Sequence, residues 1–309
     1  MVAMTLLLHP YDDPEPWLEA FSGLLPDMRV ELWPEVADLD AVHYVVAWKH
    51  PIEELVKYRN LRAVLSTGAG VDQYTGEGMP SVPVVRLADT AMADEMAAYA
   101  LHWVLHFHRR FDRFAEHQRR AEWVEETVAA NADHAVGILG YGTIGRRVGE
   151  AFSALGYRVN AWSRSGGDDG AVTHYAGVEG LAAFLGACDS VVNVLPNTAA
   201  TAHLLSADRF AMFRPGSVLI NMGRGATLHE PDLVAALDTG LLRHAVLDVT
   251  DVEPLPADPP LWSHPGVHIT PHVAGDTRPA NAARLIAANI ARIEVGEAPF
   301  PVYDPSRGY

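Results

Sequence analysis

The strongest constraint on the fold of this chain is an apolar run that leads into a spaced glycine pattern. Residues 135–145 read AVGILGYGTIG, which is strand-like, then G-x-G-x-x-G, then helical in spacing. In this pattern Gly140 allows a tight turn, Gly142 lets the main chain approach a pyrophosphate, and Gly145 permits close packing of helix on strand. The N-terminus of the following helix presents N–H groups to an anion. The segment therefore predicts a dinucleotide site in an α/β fold.

The end of the next predicted strand indicates which dinucleotide binds. Proteins that bind NAD usually carry an acid there, which accepts hydrogen bonds from the ribose hydroxyls. Here the strand at 158–162 is followed by Ser163, Arg164 and Ser165, and the next acid in the sequence is Asp168. A guanidinium can pair with a ribose 2′-phosphate through two parallel hydrogen bonds. We therefore expect NADPH to be preferred, with NADH as the alternative.

Two series of short apolar runs predict two parallel sheets. The first series lies at 5–8, 29–32, 44–48, 63–66 and 82–87, and the second at 135–139, 158–162, 190–195, 217–222, 245–249 and 267–270. Helical spacing is found at 94–114, 144–155, 181–187, 230–238 and 279–294. Mostly apolar strands that alternate with helices predict doubly wound parallel sheets of the α/β class.

Charge and composition narrow the classes of partner. The formal net charge of −16 argues against nucleic acid and anionic membranes as partners. The apolar start at 1–8 is far shorter than the roughly 20 residues of a membrane span, and it lacks the basic leader of a signal peptide. One cysteine, Cys188, cannot form an internal disulfide. We therefore expect a cytoplasmic protein.

Three later strand ends carry polar residues that packing alone does not require. They lie at 221–225 (NMGRG), 247–256 (LDVTDVEPLP) and 269–275 (ITPHVAG). The carboxyl ends of parallel strands border the ligand crevice in an open sheet, so these segments can converge. Singly, Arg224, Glu253 and His272 have structural explanations, such as ion pairs or capping. Together they suggest a reacting centre.

With these segments in view, the chain resembles the D-isomer-specific 2-hydroxyacid dehydrogenases over nearly its whole length. The likeness also includes the loop at 66–72 (STGAGVD) and the segment at 195–198 (LPNT). Within the family it is most similar to the glyoxylate/hydroxypyruvate reductases. That likeness lies at Trp48, 50–51, 162–164, 277–280 and 306–309. The chain departs from the pattern at 221–223, at Thr250 and at 275–276, and these departures bear on substrate preference.

The resemblance implies separate roles for three residues. Arg224 would bind both the carboxylate and the keto oxygen of a 2-keto acid, to which its fixed fork of donors is suited. His272 would act as general acid, protonating that oxygen. Glu253 would hold the histidine tautomer and favour the charged imidazolium.

The resemblance also implies two sets of binding residues. The cofactor set is Gly140, Tyr141, Gly142, Thr143, Ile144, Gly145, Ser163, Arg164, Ser165, Leu195, Pro196, Met222, Gly223, Asp248, His272 and Gly275. The substrate set is Trp48, Gly68, Ala69, Gly70, Arg224, His272 and Arg278, in which the N–H groups at 68–70 would anchor the carboxylate. No metal is expected: of the histidines at 102, 106 and 108, the first two share a helix face, but no acidic or cysteine third ligand is evident.

The fold and activity that the resemblance implies are specific. A Rossmann dinucleotide-binding domain at 101–275 would be inserted in a flavodoxin-like substrate domain formed by 1–100 and 276–309. The chain would reduce glyoxylate to glycolate and hydroxypyruvate to D-glycerate, and would form a homodimer. Two alternatives remain open at this point: a reductase of a bulkier 2-keto acid such as phenylpyruvate, and a non-catalytic dinucleotide-sensing scaffold.

Overall fold

The chain divides into two compact units. The computed structural model describes residues 4–10, 13–74, 78–79, 81–167, 170, 172–257 and 260–308. Unit 1 comprises Met1–Asp89 and Thr277–Tyr309, and unit 2 comprises Thr90–Asp276. The sequence placed the first boundary after residue 100. The structure places it before Thr90, because the helix that begins there packs on a helix of unit 2. Two residues used in the sequence argument, Asp168 and Tyr309, lie outside the described residues.

Unit 1 is built on a five-stranded parallel sheet in the order β2-β1-β3-β4-β5. Its strands are β1 (Met4–His9), β2 (Met28–Leu32), β3 (Val42–Ala47), β4 (Ala63–Ser66) and β5 (Val84–Val85). Its helices are α1 (Glu15–Phe21), α2 (Ile52–Leu55) and α9 (Pro279–Glu294). Leu6, Leu7 and Leu8 are wholly buried, as expected for a strand covered on both faces. This strand order is that of flavodoxin-like folds.

Unit 2 contains a seven-stranded parallel sheet in the order β12-β11-β10-β9-β6-β7-β8. Its strands are β6 (Ala135–Leu139), β7 (Arg158–Ser163), β8 (Thr173–Ala176), β9 (Ser190–Asn193), β10 (Ser217–Asn221), β11 (Leu242–Leu247) and β12 (Val267–Ile269). Its helices are α3 (Thr90–His108), α4 (Phe111–Arg119), α5 (Thr143–Ala154), α6 (Gly177–Gly186), α7 (Ala207–Phe210) and α8 (Glu230–Asp238). The strand order reverses between β6 and β9, and ligands bind at such a switch point in open α/β sheets.

The predicted fold class, two doubly wound parallel-sheet domains, is confirmed, but two local predictions were wrong. The helix expected at 94–114 is two helices, because Arg110 adopts a left-handed conformation (φ 58°) between α3 and α4. Its guanidinium pairs with Glu126 at 2.9 Å. A contact between residues this far apart in the sequence cannot be predicted from local sequence patterns. Strand β8 was not predicted, because its sequence THYA lacks an apolar run and it lies at the sheet edge. In the described part of the chain, no helix is long and apolar enough to cross a membrane.

Three histidines are buried or half-buried within their units. His50 lies in unit 1, where burial and the neighbouring His9 lower its pKa to about 4. In unit 2, burial and the ring of His108, stacked at 4.3 Å, lower the pKa of His134 to about 4. Burial and the nearby Arg243 likewise lower the pKa of His244 to about 4. All three are therefore neutral in the folded protein near neutral pH.

These histidines should make the fold sensitive to mild acid. The unfolded chain protonates them near pH 6.5, whereas the folded protein resists protonation until about pH 4. The free energy of unfolding should therefore be highest above pH 6.5 and should fall as the pH drops from 6.5 towards 4. Across that window His134→Gln should lose about 1–2 kcal/mol less than the wild type, a value reduced for residual solvent exposure.

Urea unfolding at several pH values measures this difference. The control is His102→Gln, because His102 lies on the exposed side of α3. The explanation fails if the wild type and His134→Gln lose stability in parallel as the pH falls.

Candidate active site

The glycine pattern forms an open cradle between β6 and α5. Gly140 has a positive φ of 104°, and a Cβ at Gly145 would lie 1.9 Å from the carbonyl oxygen of Gly140. At Gly142, by contrast, a Cβ would meet no heavy atom of the described residues within 4 Å. Thus Gly145 is required by internal packing, whereas the exposed space at Gly142 is available for a ligand. That space, at the first turn of α5, fits a pyrophosphate.

The turn after β7 carries the residues predicted to select the nucleotide. The Ser163 hydroxyl donates to the carbonyl of Gly166 at 3.2 Å, which shapes the turn. Arg164 and Ser165 are exposed at its tip. A guanidinium and a hydroxyl on an exposed turn beside a dinucleotide cradle suit a 2′-phosphate.

The ends of β6, β9 and β10 meet through direct main-chain contact. A Cβ at Gly223 would lie 2.7 Å from the Leu195 carbonyl oxygen, and one at Gly140 would lie 3.3 Å from the Leu195 nitrogen. Only glycine lets both segments approach Leu195 so closely. The predicted cofactor residues Leu195, Pro196, Met222 and Gly223 therefore lie beside the glycine cradle.

Behind these strand ends lies a buried polar network that the sequence did not reveal. Asn193, Asn221 and Thr227 have no exposed surface. The Asn193 amide donates to Asn221 Oδ1 at 3.0 Å and to Thr227 Oγ1 at 2.8 Å. Asn221 and Thr227 in turn donate to the carbonyl of Arg224, at 3.2 and 2.6 Å. The network fixes the main chain that carries Arg224. The available signal was the asparagine that ends the apolar strand SVVN, since a buried amide needs partners.

A second glycine contact brings the loop of Arg224 against the loop of Glu253. A Cβ at Gly225 would lie 2.0 Å from the carbonyl carbon of Thr250 and 2.4 Å from the nitrogen of Asp251. The positive charge of Arg224 is near enough to help lower the pKa of Glu253. Arg224 itself is half-buried, and its Nη1 donates to the carbonyl of Gly223 at 2.9 Å.

The contact expected between Glu253 and His272 is present. Glu253 Oε2 lies 2.8 Å from His272 Nδ1, and Oε1 accepts from the Thr250 N–H at 3.2 Å. Burial raises the pKa of Glu253, but the bonds from His272 and Thr250 and the charges of His272 and Arg224 outweigh it, so that pKa is lowered overall. The carboxylate is therefore ionised at neutral pH. Because Nδ1 is engaged, Nε2 is the ring nitrogen that can exchange a proton with a substrate.

In unit 1, the predicted substrate loop packs against Trp48. A Cβ at Gly68 would lie 1.9 Å from Trp48 Cζ3, so the indole ring rests directly on the Gly68 main chain. The Gly68 N–H donates to Ser66 Oγ at 3.1 Å. That bond engages one of the three predicted anchoring donors, whereas the residues Ala69 and Gly70 are partly exposed.

Arg278 lies at the N-terminus of α9 and is exposed. The preceding residue, Thr277, donates its hydroxyl to the carbonyl of Thr67 at 2.8 Å. Within unit 1, this bond ties the start of α9 to the loop that contains Gly68. The described residues form no group of three or more side chains able to hold a metal ion. His108 instead bonds Tyr157 and the Ala129 carbonyl.

Comparison with known proteins places the chain in a family. A family model described as "D-isomer specific 2-hydroxyacid dehydrogenase, NAD binding domain" matches residues 101–274. The chain is also 41% identical over 311 residues to glyoxylate/hydroxypyruvate reductase A of Serratia proteamaculans, covering 98% of this chain and 99% of that protein. The chain belongs to the D-isomer-specific 2-hydroxyacid dehydrogenases. Unit 2 of this family member is therefore its NAD-binding domain.

Solved structures of other family members have the same fold. The D-isomer-specific 2-hydroxyacid dehydrogenase of Xanthobacter autotrophicus, in complex with NADPH and MES, is 35% identical with a TM-score of 0.95 and covers both chains fully (100% and 100%). The NADPH-dependent glyoxylate/hydroxypyruvate reductase of Sinorhizobium meliloti, in complex with NADP and sulfate, is 32% identical with a TM-score of 0.94, covering 99% of this chain and 100% of that one.

Alanine substitutions in the cradle should separate packing from ligand binding. Gly145→Ala forces a Cβ onto the Gly140 carbonyl, which cannot move aside, and should lower the free energy of unfolding by about 3 kcal/mol. Gly142→Ala should leave stability within about 0.5 kcal/mol but weaken NADPH binding at least tenfold, because the methyl group occupies the phosphate space. Thermal unfolding and NADPH fluorescence titration measure the two effects. Unchanged NADPH affinity in Gly142→Ala would exclude this cradle as the pyrophosphate site.

Proposed function

We propose that this family member is an NADPH-preferring reductase that converts glyoxylate to glycolate and hydroxypyruvate to D-glycerate. The observation that carries the proposal is the Glu253–His272 pair, held at 2.8 Å, with Arg224 near enough to act on the Glu253 charge. The three residues lie in the loops that come directly after β10, β11 and β12 of the NAD-binding domain. The names of the Serratia and Sinorhizobium relatives, and the NADPH and NADP bound to the solved neighbours, support the substrates and the cofactor.

The proposed mechanism divides the work among three side chains. Arg224 binds the substrate carboxylate and polarises its keto oxygen through its fixed fork of donors. When bound, NADPH supplies the hydride that adds to C2. His272 gives its Nε2 proton to the keto oxygen, which becomes the hydroxyl of the product. Glu253, ionised and bonded to Nδ1, stabilises the imidazolium before that transfer and fixes the ring orientation.

The substrate contacts of unit 1 remain part of the proposal. The N–H groups of Ala69 and Gly70 anchor the carboxylate, while Trp48 and Arg278 shape the pocket. The indole of Trp48 rests on the Gly68 main chain. In the proposed pocket this large ring would limit the room for bulky 2-keto acids. In a chain with a net charge of −16, cations placed to receive an anion are a local exception to the overall charge.

A cytoplasmic homodimer completes the proposal. Trp123 is 96% exposed and Phe111 is 53% exposed, both in unit 2, so apolar surface is available there for contact with another protein. A second copy of the chain is the partner we propose. Cys188 is fully buried and burial raises its pKa to about 12, so the single thiol is unreactive and is compatible with a reducing compartment.

A panel of keto acids with two site variants tests the mechanism. Wild-type protein should oxidise NADPH rapidly with glyoxylate and hydroxypyruvate, and more slowly with pyruvate and phenylpyruvate, as followed by NADPH absorbance. His272→Gln should lower kcat about 10²–10⁴-fold while NADPH still binds. Glu253→Gln should lower kcat while NADPH still binds, because a carboxylate no longer accepts the bond from Nδ1 that orients the His272 ring.

The control for these variants is His264→Gln, since His264 also pairs with a carboxylate, that of Asp238 at 3.3 Å. Preference for phenylpyruvate would keep the mechanism and change the substrate. NADPH binding without turnover on any keto acid would favour the sensing scaffold. Near wild-type kcat in His272→Gln would remove His272 from the mechanism.

A pair of arginine variants tests cofactor preference. If Arg164 binds the 2′-phosphate, Arg164→Ala should raise the Kd of NADPH about 10–100-fold and that of NADH less than threefold. Arg158→Ala is the matched control, because Arg158 is an exposed arginine at the opposite end of β7, bonded to the Asp133 carbonyl. Fluorescence titration measures both constants. Equal weakening of the two nucleotides by Arg164→Ala would refute this role.

A further inference from the structure

The main chain of His272 is in an unusual conformation. Its φ is 56°, in the left-handed region that residues with a Cβ rarely adopt. Such a conformation persists only where the surrounding structure holds it in place. The loop must therefore have strong anchors close to His272.

Asp248 supplies those anchors. Its side chain is buried, and its Oδ1 accepts from the Val273 N–H at 2.8 Å while its Oδ2 accepts from the Ala274 N–H at 2.9 Å. Its main-chain carbonyl accepts from the N–H of His272 itself at 2.8 Å. Three consecutive residues, of which His272 is the first, are thus bonded to Asp248. A carboxylate that accepts several N–H bonds forms strong, directional contacts.

Tyr99 and Thr270 extend this anchor to helix α3. The Thr270 hydroxyl donates its single proton to Asp248 Oδ1 at 2.6 Å. The Tyr99 hydroxyl lies 2.6 Å from Thr270 Oγ1, so it must be the donor of that bond. Burial raises the pKa of Tyr99 to about 12, and the charge of Asp248 contributes to the same shift. Tyr99 therefore keeps its proton, and its role as donor, at neutral pH.

The same face of α3 packs against the end of the loop. A Cβ at Gly275 would lie 2.6 Å from Met96 Cγ and 3.0 Å from Met92 Cγ. Met92, Met96 and Tyr99 are spaced by four and three residues, which places them on one side of the helix. Helix α3 is thus a platform for the segment at 270–275, with apolar contact at Gly275 and a polar contact at Thr270.

We propose that Tyr99 and Thr270 are positioning residues that act through Asp248 to hold His272 in place for proton transfer to the substrate. The inference rests on the proposed function of His272 as general acid. It adds a structural role for Asp248 to the cofactor contact that the family resemblance implies. Tyr99 and Thr270 are outside both sets of binding residues, so they can be changed without removing a proposed ligand contact.

Conservative variants test the positioning role directly. Tyr99→Phe and Thr270→Val should each lower kcat about tenfold, because small misplacement of a catalytic group is costly, with the Kd of NADPH changed less than twofold. Thr270→Ser keeps the hydroxyl and should restore kcat to within about twofold of the wild type. Hydrogen–deuterium exchange of the segment at 271–276 should become faster in Tyr99→Phe and Thr270→Val.

The matched controls lie elsewhere in unit 2. Tyr157→Phe removes a buried hydroxyl that bonds His108 at 2.8 Å. Thr239→Val removes a hydroxyl that bonds the Ala235 carbonyl at 2.9 Å. Neither control should change kcat or the exchange of the segment at 271–276. Unchanged exchange there in Tyr99→Phe would overturn the proposal, even if kcat fell.

A double-mutant cycle separates this proposal from the proposed function. If Tyr99 acts through His272, adding Tyr99→Phe to His272→Gln should not lower kcat further. An equal fold loss in both backgrounds would overturn the positioning role. Loss of activity in His272→Gln with full activity in Tyr99→Phe would defeat only the positioning role. Full activity in His272→Gln would defeat the proposed function.

Discussion

The contact between the Gly225 main chain and the segment Thr250–Asp251 is the constraint on which the candidate site of unit 2 depends. Both partners are backbone, and a Cβ at Gly225 would lie only 2.0 Å from Thr250, so neither side can give way. The contact joins the loop after β10 to the loop after β11. The distance from Arg224 to Glu253 is consequently set by the main chain of two adjacent parallel strands. Packing between side chains alone would fix this distance less firmly, because side chains can change rotamer.

Buried polar side chains hold the loops that carry Arg224 and His272 through hydrogen bonds to their main chains. Asn193, Asn221 and Thr227 are wholly buried, which is tolerable only because they satisfy one another and the carbonyl of Arg224. Asp248 serves the loop of His272 in a similar way. The side chains proposed to react, which stay partly exposed, are thus supported by polar side chains that are buried. In this way the candidate side chains can be reached by a substrate while the positions of their loops stay fixed.

The sequence predicted most of the fold because strand and helix periodicity is local. The predicted bounds of β4, β6, α8 and α9 are those of the structure. Local sequence patterns did not predict the structure where contacts between distant residues determine it. An example is the break between α3 and α4, where Arg110 pairs with Glu126. The same holds for the site. Arg224, Glu253 and His272 could be named from the sequence because they follow strand ends and resemble a family. The partners of Asn193 and Tyr99 could not be named in this way, because they lie 28 and 171 residues away in the sequence.

The left-handed backbone conformation of His272 brings the stability of the fold and the proposed catalytic role of this residue into conflict. Glycine adopts this conformation without the steric cost that a Cβ imposes, so the residue that suits the backbone best there is one that cannot carry a proton. The position therefore makes opposite demands, because the backbone conformation favours glycine whereas the proposed proton transfer needs an imidazole. With proton transfer as the role of His272, the steric cost at this residue is one that the fold carries for the sake of turnover.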